Sequence, residues 1–181
     1  DPQNVSPVPL SSDRGSLFGN DNGDTRVVSE RAYEAYGSVG TLFAIVSQIG
    51  NAFASADWHL YRRTSTRDKK KRTEVLGHGF TTVWDNPNPF YTGRLFRETV
   101  QQHLDLVGEG AFVLYRVGGY VVEMWPIRPD RLHPVKHPRK FLTGYVYVGP
   151  NNEEVPLELE DVIHIKYPNP ADPYRGMGPV Q

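Results

Sequence analysis

Apolar residues recur at helical spacing in two stretches of the chain and alternate with polar ones in several others. Val39, Leu42, Phe43, Val46, Ile49 and Phe53 form one stripe, which Ile45 and Ala52 widen. This predicts a mostly buried helix with Ser38 as N-cap after Gly37, or an earlier opening at Ser29 that takes in Tyr33 and Tyr36. Trp58, Leu60 and Arg62 then alternate with His59, Tyr61 and Arg63, as in a strand. The run Trp84-Asp85-Asn86-Pro87-Asn88-Pro89 can continue neither a helix nor a central strand. Thr92 next caps a helix whose buried stripe is Leu95, Phe96, Val100, His103, Leu104 and Val107. Tyr91 is placed to pack on Phe96 as a hydrophobic staple, and Gly108 suits a left-handed stop.

Beyond Gly108 the period changes from helix to strand. Gly118-Gly119 reads as a two-residue hairpin turn. That register sets Val117 opposite Tyr120, Tyr115 opposite Val122 and Val113 opposite Met124, an all-apolar face predicted to be core. The other face pairs Arg116 with Val121, Leu114 with Glu123 and Phe112 with Trp125. Pro126 to Pro138 reads as a connection. Residues 141–148 form a strand, Gly149-Pro150-Asn151-Asn152 a turn and 153–157 a returning strand. Val162 to Tyr167 is a last strand, with Ile163 and Ile165 predicted to face the core and His164 to point away. The fold class is therefore α+β: amphipathic helices packed on antiparallel β-hairpins.

Residues 1–28 are rich in Asp, Asn, Ser, Gly and Pro and predict a flexible N-terminal arm, leaving 29–181 as one α+β domain. The start at Asp1 and the end soon after Gly178-Pro179, where a helix would normally open, predict a processed or partial chain. Charge is balanced, with 20 Lys+Arg against 21 Asp+Glu. No global attraction to nucleic acid or anionic membrane follows. The absence of cysteine excludes disulfides, thiolate metal sites and cysteine nucleophiles. No apolar run approaches the roughly 20 residues of a membrane span.

Charge is balanced overall but concentrated locally. RRTSTRDKKKR places Arg62, Arg63, Arg67, Lys69, Lys70, Lys71 and Arg72 in a run whose only acid is Asp68. It reads as an exposed loop or hairpin tip, either simply solvated or in contact with phosphates or an acidic partner. No aromatic interleaves it, so base stacking is not indicated. His133 and His137 are four apart, but Pro134 and Pro138 prevent the helix that would aim both at one metal. The sequence has no HExxH, phosphate-binding glycine loop or serine elbow. Asp161 and His164 look like two members of a triad, yet a spacing of three on a strand sends them to opposite faces. Glu153, Glu154, Glu158, Glu160 and Asp161 match no calcium loop and read as a solvated rim. Three Trp, ten Tyr and eight Phe are many for this size. Trp84, Phe90, Tyr91, Trp125, Tyr145 and Tyr147 are divided between core and interface.

Taken in order, these segments resemble the N-terminal half of the portal proteins of long-tailed bacteriophages. The resemblance runs through VGTLFAIVSQIGNAFASA into WHLYRR, then WDNPNPF, LDLVGEGAFVLYR, MWPIRPDRLHPV and EDVIHIKYPNPADPYRGMGPV, over roughly residues 36 to 181. Gly178 stands where that family usually has Ser, and Trp84 where an aliphatic is usual. The resemblance implies the wing portion of a portal, with stem and clip absent, in a dodecameric ring at one capsid vertex. It implies double-stranded DNA passing through the channel during packaging and ejection. The implied partners are other copies of the chain, major capsid protein, terminase large subunit and head–tail adaptor. It implies no cofactor, metal, membrane or catalysis, ATP hydrolysis belonging to the terminase, and a place in the virion after assembly in the bacterial cytoplasm. The arm 1–28 and the basic loop 62–72 would then contact capsid, neighbours or DNA. Two other readings stay open: a nucleic-acid-binding module using that loop, and a small hydrolase centred on His164 and Asp161.

Overall fold

The computed structural model describes residues 21–64 and 71–180, and from residue 27 onward includes the side chains. Among the described residues the α-helices are α1 (Asp21–Ser38), α2 (Gly40–Ala54), α3 (Gly79–Asp85) and α4 (Gly93–Val107). The strands are β1 (Tyr61–Arg63), β2 (Arg72–Glu74), β3 (Glu109–Val117), β4 (Tyr120–Ile127), β5 (Leu132–His137), β6 (Phe141–Val148), β7 (Glu154–Glu158) and β8 (Val162–Lys166). They form three small antiparallel sheets, ordered β1-β2, β4-β3-β8 and β5-β6-β7. The α+β class holds.

The core begins at α4. Thr92 caps it as predicted, its hydroxyl accepting from Leu95 N at 3.3 Å, and Gly108 ends it at φ 76°. One side of α4 buries Phe96 and Val100 against Phe112 and Met124, with Tyr91, Trp84 and Val121 around them. Its end carries Leu106 and Val107 against Ala32 and Val46. A third cluster joins the sheets through Ala111, Val162, Leu132 and Tyr145. Leu95, expected in the stripe, is exposed.

Several expectations are corrected. Helix α1 extends over 21–28, part of the predicted arm, and the rest of that arm lies outside the described residues. Ser38 is no N-cap: it ends α1, with its hydroxyl bonded back to Glu34 O at 2.7 Å. Val39 is extended between the helices, which bend by 98° there, where Gly37 and Gly40 weaken helical continuity. Helix α2 is not mostly buried. Val46, Gly50 and Ala54 are buried, on the side where Gly50 lies against Glu98 and Gln102 of α4, while Leu42 and Phe53 are half-buried. Phe43, Ile45 and Ile49 are exposed, because no described element buries that side, although the Tyr36 ring of α1 leans on Phe43 with centroids 5.1 Å apart. The strand foreseen from Trp58 starts at Tyr61.

In the glycine hairpin, Val117–Tyr120 and Arg116–Val121 pair as predicted. Val122 then bulges out, so Tyr115 meets Glu123, Leu114 meets Met124, Val113 meets Trp125 and Phe112 meets Pro126. The bulge exchanges the faces. Met124 joins Phe112 and Leu114 beneath α4, while Tyr115, Val117, Tyr120 and Val122 are exposed at the tip. The stretch from Pro126 to Pro138 is more than a connection, since it contains the end of β4 and all of β5. Pro134 is tolerated because β5 is an edge strand. On β8 the sides are also reversed: Ile163 and Ile165 are exposed and His164 turns inward with Val162.

Candidate functional site

Two kinds of feature remain after the core is assembled: a buried ionic centre and several exposed charged or apolar surfaces. The ionic centre is built where α4 stops. Gly108 turns the chain so that Glu109, the first residue of β3, points inward at 2% exposure. Its carboxylate takes His164 Nε2 at 3.1 Å, lies 3.1 Å from Arg175 Nε and accepts Gly176 N at 2.5 Å. The other guanidinium nitrogens of Arg175 donate to Leu132 O at 2.7 Å and Pro129 O at 3.3 Å. His164 also stands edge-on to Tyr145, and burial raises the Tyr145 phenol above its usual range.

This arrangement ties four parts of the chain together. Asp161, the supposed partner of His164, instead pairs with Arg116 Nε at 2.8 Å. The Asp–His couple is therefore not assembled: each side chain is engaged elsewhere. Among the described residues no group of three or more His, Asp or Glu could hold a metal ion. No single described helix is long and apolar enough to cross a membrane.

A second buried polar region lies between α1, α4 and the turn at 129–131. Arg128 clasps the buried Asp130 through two bonds, 3.0 Å and 2.7 Å, and sits over the Tyr33 ring at 4.7 Å. His103 meets Tyr33 edge-on, and burial pushes its pKa down to about 4. Burial also raises Tyr33 well above its ordinary value. Two residues further along α4, burial raises the Asp105 carboxyl, which accepts from Gln101 at 2.9 Å and Tyr167 at 3.3 Å.

The described ends of the basic run pair as two antiparallel strands. Arg62 and Arg63 lie on β1 and Arg72 on β2, with Arg63 directly opposite Arg72. Lys71 precedes β2, and its carbonyl accepts both Thr64 N at 3.1 Å and Thr64 Oγ1 at 2.9 Å. Arg62, Arg63, Lys71 and Arg72 are all exposed. Arg72 covers the Tyr61 ring at 4.5 Å, so an aromatic does adjoin this cluster. Arg67, Lys69 and Lys70 lie outside the described residues.

Sequence reasoning missed the Glu109 centre and helix α3. The first joins residues over fifty positions apart, for which no local pattern exists. The second has only seven residues and is capped by a histidine, His78 Nδ1 accepting Phe80 N at 3.1 Å. Of the aromatics left between core and interface, Tyr145 is buried while Phe90 and Trp125 are exposed.

A model of the family described as phage portal protein matches residues 40–181. Among curated proteins no sequence matches significantly. Among solved structures, the chain is similar to a protein in the neck of an empty GTA particle computed with C6 symmetry, at TM-score 0.71 and 20% identity, covering 86% of this chain and 40% of that one. A protein in the neck of a native GTA particle computed with C12 symmetry gives TM-score 0.68 and 17% identity, covering 91% and 40%. One from the virion of a native gene transfer agent particle gives 0.67 and 18%, covering 86% and 39%. At these identities the likeness establishes a shared fold. The chain spans about two fifths of the length of the proteins it matches.

Proposed function

This chain belongs to the phage portal protein family, and we propose that it acts as the wing part of a portal subunit in a dodecameric ring at one capsid vertex. The ring is the conduit for double-stranded DNA in packaging and ejection and the platform for the head–tail connector. Its partners are other copies of itself, major capsid protein, terminase large subunit and head–tail adaptor. The observation that carries this reading is the family match over most of the chain. Support comes from structural relatives located in particle necks treated with six- and twelve-fold symmetry. The exposed apolar side of α2 and the exposed hairpin tip are surfaces of the kind a subunit buries on assembly. Its role is structural, with catalysis left to other components. The basic hairpin, with Arg62, Arg63, Arg67, Lys69, Lys70, Lys71 and Arg72, faces a neighbour, the capsid or DNA in the assembled particle.

The test is electron microscopy of the complete gene product, with native mass as a check. Closed rings of about twelve copies around a central hole support the reading. A stable monomer under assembly conditions overturns it, and salt-dependent DNA binding by that monomer would favour the nucleic-acid-binding module instead.

A further inference from the structure

Charge along the second half of the chain is sharply divided. From residue 132 through 152 there is no Asp or Glu, while Lys136, Arg139 and Lys140 occur. From 141 through 165 there is no Lys or Arg, while Glu153, Glu154, Glu158, Glu160 and Asp161 occur. The fold converts this sequence division into a spatial one. Sheet β5-β6-β7 carries the basic residues at its β5 edge, in the turn to β6, and the acidic ones along its β7 edge and the turn that follows.

Each edge also carries exposed apolar surface. At the basic edge Phe141 is 54% exposed and stacks on Tyr174, with centroids 4.4 Å apart. Lys136 Nζ sits over Tyr174 at 4.8 Å. Phe141 holds φ 66°, a left-handed conformation that costs a bulky residue energy and persists only where the surroundings enforce it. His137 enforces the turn, with Nδ1 accepting Arg139 N at 3.1 Å and Lys140 N at 3.0 Å. At the acidic edge Val155 and Leu159 are exposed between Glu154, Glu158 and Glu160. The remaining acids there are engaged within the chain: Glu153 caps its own turn through Asn151 N, and Asp161 binds Arg116. Arg139, Lys140, Glu154, Glu158 and Glu160 form no ion pair among the described residues.

We infer that the basic edge of this sheet docks on the acidic edge of the same sheet in a neighbouring copy, head to tail; the inference rests on the ring reading above. A cyclic ring needs a heterologous contact, two different patches on one subunit that fit each other. These two edges are opposite in charge, lie on opposite sides of one sheet, and each surround an apolar centre with charge, as interfaces do. The Phe141–Tyr174 plate meets Val155 and Leu159, while Lys136, Arg139 and Lys140 face Glu154, Glu158 and Glu160. Pro134 on β5 and Pro156 on β7 interrupt both edges, so the contact is made by side chains and not by added strands. The charges choose the partner face and the register more than they supply affinity.

Charge reversal tests this in the complete gene product. One variant carries K136E, R139E and K140E, a second E154K, E158K and E160K, and a third all six. Each one-sided variant is expected to lose closed rings by roughly tenfold or more at fixed concentration, and the combined variant to regain them. Circular dichroism of each variant checks that the fold is kept. Rings undiminished in the one-sided variants, or no recovery in the combined one, overturn the inference and leave the ring reading intact. Loss of duplex DNA binding with undiminished rings in the basic-side variant would assign that edge to phosphate instead. A wild type that forms no ring removes the ring reading itself.

Discussion

Glu109 and His164 meet at 3.1 Å in a site where the side chain of neither is more than 3% exposed. His164 lies opposite Ala111 in the β3–β8 ladder, so it reaches Glu109 diagonally, across the strand start fixed by Gly108. The same carboxylate holds Arg175 and Gly176. One acid thus attaches both β8 and the segment beyond it to the end of α4.

Removing that acid should be costly. Glu109→Ala leaves the Arg175 guanidinium buried without a counter-charge and Gly176 N without an acceptor. A loss of about 3–5 kcal/mol is expected from breaking one side of a buried pair. Glu109→Gln keeps the shape and one acceptor and should cost less. Urea denaturation measures both. An alanine variant as stable as the wild type would show that the buried charges do not hold this segment.

Gly178 offers a second test, because its backbone lies against the end of α4. A Cβ there would lie 2.7 Å from Gly108 N and 2.8 Å from Leu106 O. Gly178→Ser therefore pushes the segment off the end of α4, where Val180 packs against the cluster of Ala32, Val46, Leu106 and Val107. The expected loss is about 1–3 kcal/mol, as for overpacking a close contact. Thermal unfolding measures it, and an unchanged midpoint would mean that the segment adjusts freely.

How much of this was legible in the sequence depends on the range of the interaction. Thr92, Gly108 and Gly118-Gly119 act within a turn, and each did what its residue type requires. The bulge at Val122 depends on a choice between two apolar faces: α4 covers the one with Phe112 and Leu114, and nothing local encodes that choice. Two flanking isoleucines predict an outward His164. The buried Glu109 made the histidine side the inner one, and the isoleucines were left at an edge. The apolar stripe of α2 was read correctly as apolar, but burial within one chain does not follow from that. Of the basic run, the sequence marked the exposed hairpin and missed Tyr61 beneath Arg72.

The basic hairpin should matter for assembly and hardly at all for folding. Arg63 and Arg72 face each other across the ladder with like charge, which offsets much of what Arg72 gains over the Tyr61 ring. Reversing Lys69, Lys70, Lys71 and Arg72 to Glu should change the unfolding free energy by no more than about 1 kcal/mol, most of it from the contact of Arg72 with Tyr61. Ring formation or DNA packaging should fall. Intact assembly and packaging with these reversals would remove the proposed role of the loop.

The pH dependence of stability should report His103. Desolvation holds it neutral in the fold, with its pKa down to about 4 from the ordinary 6.5; nearby Asp130 raises it and Arg128 lowers it, both to lesser extents. Between these values the unfolded chain binds a proton that the folded chain refuses. Stability from this group is therefore full above about pH 6.5, falls as the pH drops, and levels off below about 4. The total is on the order of 3 kcal/mol. Asp105 opposes the trend, since its raised pKa lets the fold take up a proton more readily than the unfolded chain as the pH falls. The wild-type slope is thus a difference of two effects. Comparison with His103→Gln isolates one of them: the variant should lose the decline between pH 6.5 and 4 and keep the opposing rise from Asp105. Parallel stability curves for the two proteins would mean that His103 takes its proton as easily in the fold as out of it.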